Sequence, residues 1–253
     1  MLHKVVSNVG AERRLAIAPE VAGWSHLTFR AYGFAAGRPI DGHSVDDEVC
    51  MMFLAGTATV TVGGQTWTID RASDVFDGPP QCVYLPPRHD YLLTPLTHCE
   101  VAYARWPAQG LLTPRFIAPE TMAVQERGSG ATAHHVTHIL RAGEAEHLVC
   151  AETIVPPGHW CASLPLAAHP AAGAGHLVAE AVCYYRLAPR AGWALQRLYS
   201  DDDALDDTLL IGHGDGVMIR DGHHPVVAAP DAHLYILHVG AVVGQATEAA
   251  PVR

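Results

Sequence analysis

The run TATVTVGGQTWTID, residues 57–70, sets the terms for this chain. Apolar and small polar residues alternate on both sides of Gly63-Gly64, and that pair supplies the positive φ angles of a tight two-residue turn, so the segment reads as a β-hairpin. Further short runs bounded by Gly, Pro and Asp follow at 82–87, 96–106, 147–157, 181–189, 193–200, 216–227 and 233–240. Helical periodicity is scarce, with TMAVQE (121–126) and DDALDDTLL (202–210) the best short candidates. A chain of many short strands hides its edges by closing its sheets or stacking them, which predicts an all-β fold.

An internal repeat sharpens this expectation. EVCMMFLAG (48–56) aligns with AVCYYRLAP (181–189), and each is followed by a turn, more strands and a Pro- or Gly-rich strand entry, YLPPRHD or MIRDGHH. Similarity at about half the chain length implies duplication of one barrel-sized unit. The expected division is a first barrel over 1–120, a connector over 121–146, where ERGSGATAHH is poor in large apolar residues, and a second barrel over 147–253. Surface exposure is the expectation for His134, His135 and His138 in that connector.

Charge and composition exclude several functions. With 16 basic against 26 acidic residues the chain repels phosphate backbones and anionic lipid, so neither nucleic acid nor membrane is an expected partner. The opening MLHKVVSNVGAERR has no signal-peptide core, and no apolar run approaches the roughly 20 residues of a spanning helix, which predicts a cytoplasmic protein. Six cysteines without a CxxC pair read as buried, reduced thiols.

The order of motifs resembles the 5-deoxy-glucuronate isomerase family of inositol catabolism, related to the ketol-isomerases of pectin-derived uronates. The matching pieces are ERGSGATAHHVTHIL, PPGHW, YYRLAPRAGWALQRLYSDDDALDD, GDGVMIRDGHHPVVAAP and HLYILHVG, with AGTATVTVGGQTWTIDRASDVFDGPPQCVYLPP in the first half. The resemblance implies a bicupin, two jelly-roll-like β-barrels from an internal duplication. It also implies a divalent transition metal (zinc, iron or manganese) in the second barrel, a sugar-acid substrate and an aldose-ketose isomerisation, with a homo-oligomer allowed.

The ligand pattern departs from the family. Where members carry P-P-H-K-H-D this chain has L-P-L-A-A-H-P, so at most His169 stands for one histidine of that pair. Alanine occupies the usual glutamate position: Glu180 is followed by Ala181, and the repeat aligns Glu48 with Ala181. Adjacent strand residues point to opposite faces unless a bulge intervenes, so Glu180 is no simple replacement. His176 precedes Ala181 by five, which leaves His169, His176 and His224 as a rebuilt three-nitrogen site, or a barrel without metal. In GHHPVV only one of His223 and His224 can face inward, and His224 is the expected one.

By the same resemblance Arg186, Gln196 and Arg197 bind the substrate, and Tyr199 or Glu180 carries the proton; pairing of the arginines with the acid run Asp201 to Asp203 is the competing explanation. Asp41, His43, Glu48 and His89 imitate a ligand set in the first barrel, where a solvated loop is the plainer reading. Besides isomerisation, a different small-molecule transformation without metal and non-catalytic sugar-acid binding are the alternatives.

Overall fold

The structure, a computed structural model, describes residues 3–8, 12–161, 176–219 and 222–245, with 176–179, 244 and 245 described by backbone alone. Val62 pairs with Gln65 across Gly63 and Gly64, whose φ values of 56° and 83° are those of the expected hairpin turn. One limb of that hairpin is the long strand Asp47–Val62. Its first half pairs with Gln81–Leu85 and Cys99–Pro107, its second with Gln65–Arg71 and Asp90–Pro95, and its register shifts between Phe53 and Ala55. A strand that changes partners at a bulge turns a sheet back on itself, and the lumen so formed is filled by Val49, Met51, Phe53, Val60, Leu93 and Val101.

The second barrel uses two sheets. One runs Lys4–Val5, Gly216–Ile219, His176–Ala188, His233–Gln245, Leu148–Val155, His134–Leu140 and Ala123–Arg127; the other runs Trp160–Cys161, Val226–Ala228, Ala194–Tyr199 and Asp206–Ile211. Its lumen holds Tyr185, Leu187, Leu198, Ile211, Ile219 and Leu234. Between the barrels lies a third apolar layer in which Cys50, Met52 and Leu54 of one central strand pack in the same core as Val182 and Tyr184 of the other. Both faces of these central strands are therefore buried, which is why EVCMMFLAG and AVCYYRLAP are continuous apolar runs without alternation. All six cysteines are buried and none is in a disulfide, in keeping with the absence of CxxC pairs.

Polar groups tie the barrels together in reciprocal pairs. The Glu48 carboxylate accepts N–H bonds from Glu146, His147 and Leu148 at 2.9, 2.8 and 2.7 Å, at the entry to the second barrel. Glu180 does the same for Ser25, His26 and Leu27 at 2.6, 3.1 and 2.7 Å, at the entry to the first. Arg71 bonds Glu152 across the interface, and Arg186 pairs with Glu100, which Arg14 also contacts. Face by face, Glu48 thus corresponds to Glu180 and not to Ala181. A register shift between Val178 and Glu180 lies beside this match, and it is invisible to an ungapped sequence alignment.

His213 sits beside this network, its Nδ1 3.2 Å from the Leu187 N–H. Burial, and secondarily the nearby Arg186 guanidinium, pulls its pKa from 6.5 to about 4. The unfolded chain therefore takes up this proton first, so the stability contribution is complete above pH 6.5 and is lost as pH falls toward about 4. His213→Asn is expected to flatten the stability–pH slope by up to about one proton in that window. Urea denaturation across the same pH range checks it, and an unaltered slope would count against the assignment.

Several expectations are corrected. The segment 121–146 is no bare connector: Ala123–Arg127 and His134–Leu140 pair with each other, and the latter with Leu148–Val155. His134 and His138 are accordingly buried, while His135 is exposed beside Glu126. Neither short helix forms. Residues 123–127 and 206–211 are strands, because each has a partner strand to extend and too few residues for a stable helix. The run 216–227 divides into Gly216–Ile219 and Val226–Ala228, which belong to different sheets. Among the described residues no helix is long and apolar enough to cross a membrane.

Candidate active site in the second barrel

Alternation on the strand His176–Ala188 decides which side chains enter the cup. Ala181, Cys183, Tyr185 and Leu187 face the lumen, and Val182 and Tyr184 face the other barrel. On the neighbouring strand Gly240 lies opposite Ala181, and His238 opposite Cys183. His224 arrives from the facing sheet. Gly222 has φ +74° and a Cβ there would lie 2.3 Å from the Tyr199 carbonyl oxygen, so the turn demands glycine. His223 then exchanges backbone bonds with Tyr199, stacks on its ring at 4.7 Å and approaches Asp201 at 3.1 Å, outside the barrel. The next residue must turn inward: His224 is 3% exposed, and its carbonyl accepts a bond from Gln196 Nε2 at 3.2 Å.

Cys183, His224 and His238 each place one donor atom within 4.8 Å of the other two, and Cys183 Sγ is 3.4 Å from His238 Nδ1. Burial pushes the Cys183 pKa up to about 12, so without a cation it is a thiol. Tyr185 adjoins Cys183 and Gln196, and burial likewise raises its phenol well above the ordinary range. The Gln196 Oε1 atom is enclosed and, among the described residues, meets no hydrogen-bond donor.

The register extends this row across the sheet. His238 is opposite Ala151, and Ala151 opposite His138, which puts the His138 backbone two strands, roughly 10 Å, from that of His238. His138 Nε2 is 3.3 Å from Gln125 Oε1, an acceptor, which assigns the proton to Nε2 and leaves Nδ1 as the basic atom. Burial first, then Arg127 and Arg141, holds its pKa below the ordinary histidine value.

Of the residues singled out from sequence, the cup contains Gln196 and His224. Arg186 and Glu180 belong to the inter-barrel layer, bound to Glu100 and to three backbone N–H groups, because even-numbered residues of their strand face away from the lumen. Arg197 and Tyr199 lie outside: the guanidinium bonds Asp206 at 2.7 and 2.9 Å and covers the Tyr199 ring. His169 is outside the described residues, and so is the side chain of His176. The first-barrel set is not assembled, since Glu48 is committed to backbone and to Tyr84, His43 Nδ1 accepts the Val45 N–H, and His89 contacts the Pro87 carbonyl. Arg197→Ala and Tyr199→Phe are each expected to leave the unfolding midpoint and the substrate affinity unchanged within error, because exposed pairs contribute little. A clear rise in KM for either would return it to the site.

Cys183 and His238 went unnoticed in the sequence because each lies in a run that is buried on both faces. The available signal was the pairing of AVCYYRLAP with HLYILHVG, which places a thiol directly across from an imidazole.

Two fused jelly-roll barrels with a histidine-lined cup in the second define a bicupin. The family model described as KduI/IolB matches residues 2–249, and the chain belongs to the KduI/IolB family. It is 32% identical over 227 residues to the 5-deoxy-glucuronate isomerase of Geobacillus thermodenitrificans, covering 88% of this chain and 82% of that one. With the enzyme of the same name from Bacillus subtilis strain 168 it shares 26% over 220 residues, covering 85% and 81%. Among solved structures, an IolB-like protein from Salmonella typhimurium superposes with a TM-score of 0.88 at 28% identity, covering 95% of this chain and 93% of that one. An oxalate decarboxylase from Bacillus subtilis, at 11% identity and TM-score 0.61 over 97% of this chain and 78% of its own, shares the fold.

Proposed function

We propose that this chain is an aldose-ketose isomerase acting on a small sugar acid of the 5-deoxy-glucuronate type, moving a carbonyl from C1 to C2 through an enediolate. The observation that carries the reading is the cup itself: a lumen in a KduI/IolB chain where His224, His238, Gln196 and Tyr185 converge. The donors Cys183, His224 and His238 fit a divalent cation, whereas the three-histidine set expected from sequence has one member whose side chain is described, His224. Such a cation supplies Lewis-acid stabilisation of developing negative charge on substrate oxygen.

The protein's own groups account for the remaining steps. Gln196 Oε1 accepts from a substrate hydroxyl and so orients the chain of the sugar. The Tyr185 phenol, which keeps its proton, donates to an oxygen that gains charge. His138 Nδ1 takes the proton from C2 and returns it at C1, a task for which a neutral imidazole is needed. Its lowered pKa keeps it neutral further into acid, so the acid limb of kcat is expected below the ordinary histidine range. His138→Gln should remove that limb along with most turnover, and retention of both would exclude His138.

Turnover of 5-deoxy-glucuronate in deuterated water tests the reading. Ketose formation is expected, with deuterium at the carbon that receives the proton, and His224→Ala is expected to lose at least about 100-fold in turnover. Binding without conversion or exchange would make the chain a sugar-acid-binding cupin instead.

A further inference from the structure

We propose that Cys183, His224 and His238 form a thiolate–imidazole centre for a zinc-type cation, with the sulfur as an obligatory donor. The proposal deepens the isomerase reading by naming the metal's donors in the same cup.

Geometry carries it. Zinc bonds sulfur at about 2.3 Å and imidazole nitrogen at about 2.0–2.1 Å, which in a tetrahedron puts the two donors about 3.6 Å apart. The Cys183 Sγ to His238 Nδ1 separation is 3.4 Å, and the third donor, from His224, lies within 4.8 Å of both. The two strands hold the first pair directly opposite each other, while the facing sheet delivers His224 from a turn that only glycine permits. A metal needs donors from separate elements brought close together, and here three separate segments supply them.

Among the described residues, the neighbouring positions on this face add no further donor. One rung along the same face, Ala181 stands opposite Gly240, and neither offers a ligand atom. The adjacent carboxylate, Glu180, faces the other barrel and is occupied by three N–H groups. Hard cations such as magnesium, calcium or manganese favour oxygen donors, whereas sulfur with two imidazoles favours zinc and its surrogate cobalt. Three protein donors are also the number a catalytic zinc keeps while leaving a position for substrate oxygen. Around them, Gln196 anchors the His224 backbone and Tyr185 adjoins the sulfur, the outer contacts that fix ligand orientation. On binding, the Cys183 S–H bond breaks, the sulfur–metal bond forms, and the proton passes to buffer; both imidazoles bind neutral, and no electron is transferred.

The experiment is a cobalt(II) titration of tag-free, metal-stripped full-length protein. One equivalent is expected to bind with a near-ultraviolet sulfur-to-cobalt charge-transfer band and tetrahedral visible bands, both displaced by zinc. Cys183→Ser should abolish the charge-transfer band and weaken binding about 100-fold or more, and His238→Asn should weaken binding similarly while keeping the residue's approximate size. His176→Ala should leave the band intact. Circular dichroism identifies any variant that fails to fold, in which case the other of the pair decides. Cobalt bound without the band, a band that survives Cys183→Ser, or folded protein that takes up no cobalt would overturn the proposal. Turnover is scored separately: the band without turnover refutes the isomerase reading alone, and turnover in wild-type protein lacking the band refutes this centre alone.

Discussion

Replacing Glu48 with alanine is expected to destabilise the chain by about 3–5 kcal/mol, since each buried donor stripped of its acceptor costs about 1–3 kcal/mol. Four donors lose their partner at once: the N–H groups of Glu146, His147 and Leu148, and the Tyr84 hydroxyl at 2.8 Å. The counterpart Glu180→Ala strands three N–H groups, two of them on exposed residues, and so should cost less, about 2–4 kcal/mol. Glutamine at either position keeps one carbonyl oxygen and should recover part of the loss. Urea or thermal unfolding measures the effect, and a change under about 1 kcal/mol for Glu48→Ala would show that the carboxylate does not hold the second barrel's entry strand. The Glu180 variant also separates structure from chemistry. A proton carrier would lose turnover at constant stability, whereas a strand clamp loses stability first.

The second large effect is at Arg186. Arg186→Leu is expected to cost about 3–5 kcal/mol, because it leaves Glu100 with a reduced set of cations in a site where both side chains are almost wholly buried. Burial pulls the guanidinium pKa down to about 10, so it remains charged at neutral pH and the loss is that of a full ion pair. Substrate affinity in the surviving folded fraction is expected to match wild type. A raised KM with unchanged stability would put the guanidinium back in the cup.

These two residues also mark where sequence reasoning stops. Alternation reveals a face only when one face is wet, and residues 181–187 are buried on both sides, so nothing in the run distinguishes Arg186 from Tyr185 as the inward neighbour. In WALQRLYS alternation does survive: Ala194, Gln196 and Leu198 are buried and Arg197 is exposed, and the polar residue on the apolar face was the informative one. The hairpin at Gly63-Gly64 was legible because local φ requirements fixed it. His224 was legible because a glycine turn precedes it. Cys183 and His238 were hidden because their proximity depends on the pairing of strands that place residues 55 apart side by side, and a buried cysteine looks like any small apolar side chain.

The outermost strand of the second barrel's larger sheet comes from the start of the chain. Lys4–Val5 pairs with Gly216–Ile219, the Met218 N–H donates to the His3 carbonyl at 2.8 Å, and Lys4 Nζ reaches Asp215 at 3.0 Å. Lys4 thus meets its ion-pair partner 211 residues further along, and the sheet of the second barrel is finished at this edge by a strand that precedes the whole first barrel. Halves expressed apart would leave the C-terminal piece with an open seam, and a synthetic peptide copying the first residues should bind that piece and close it.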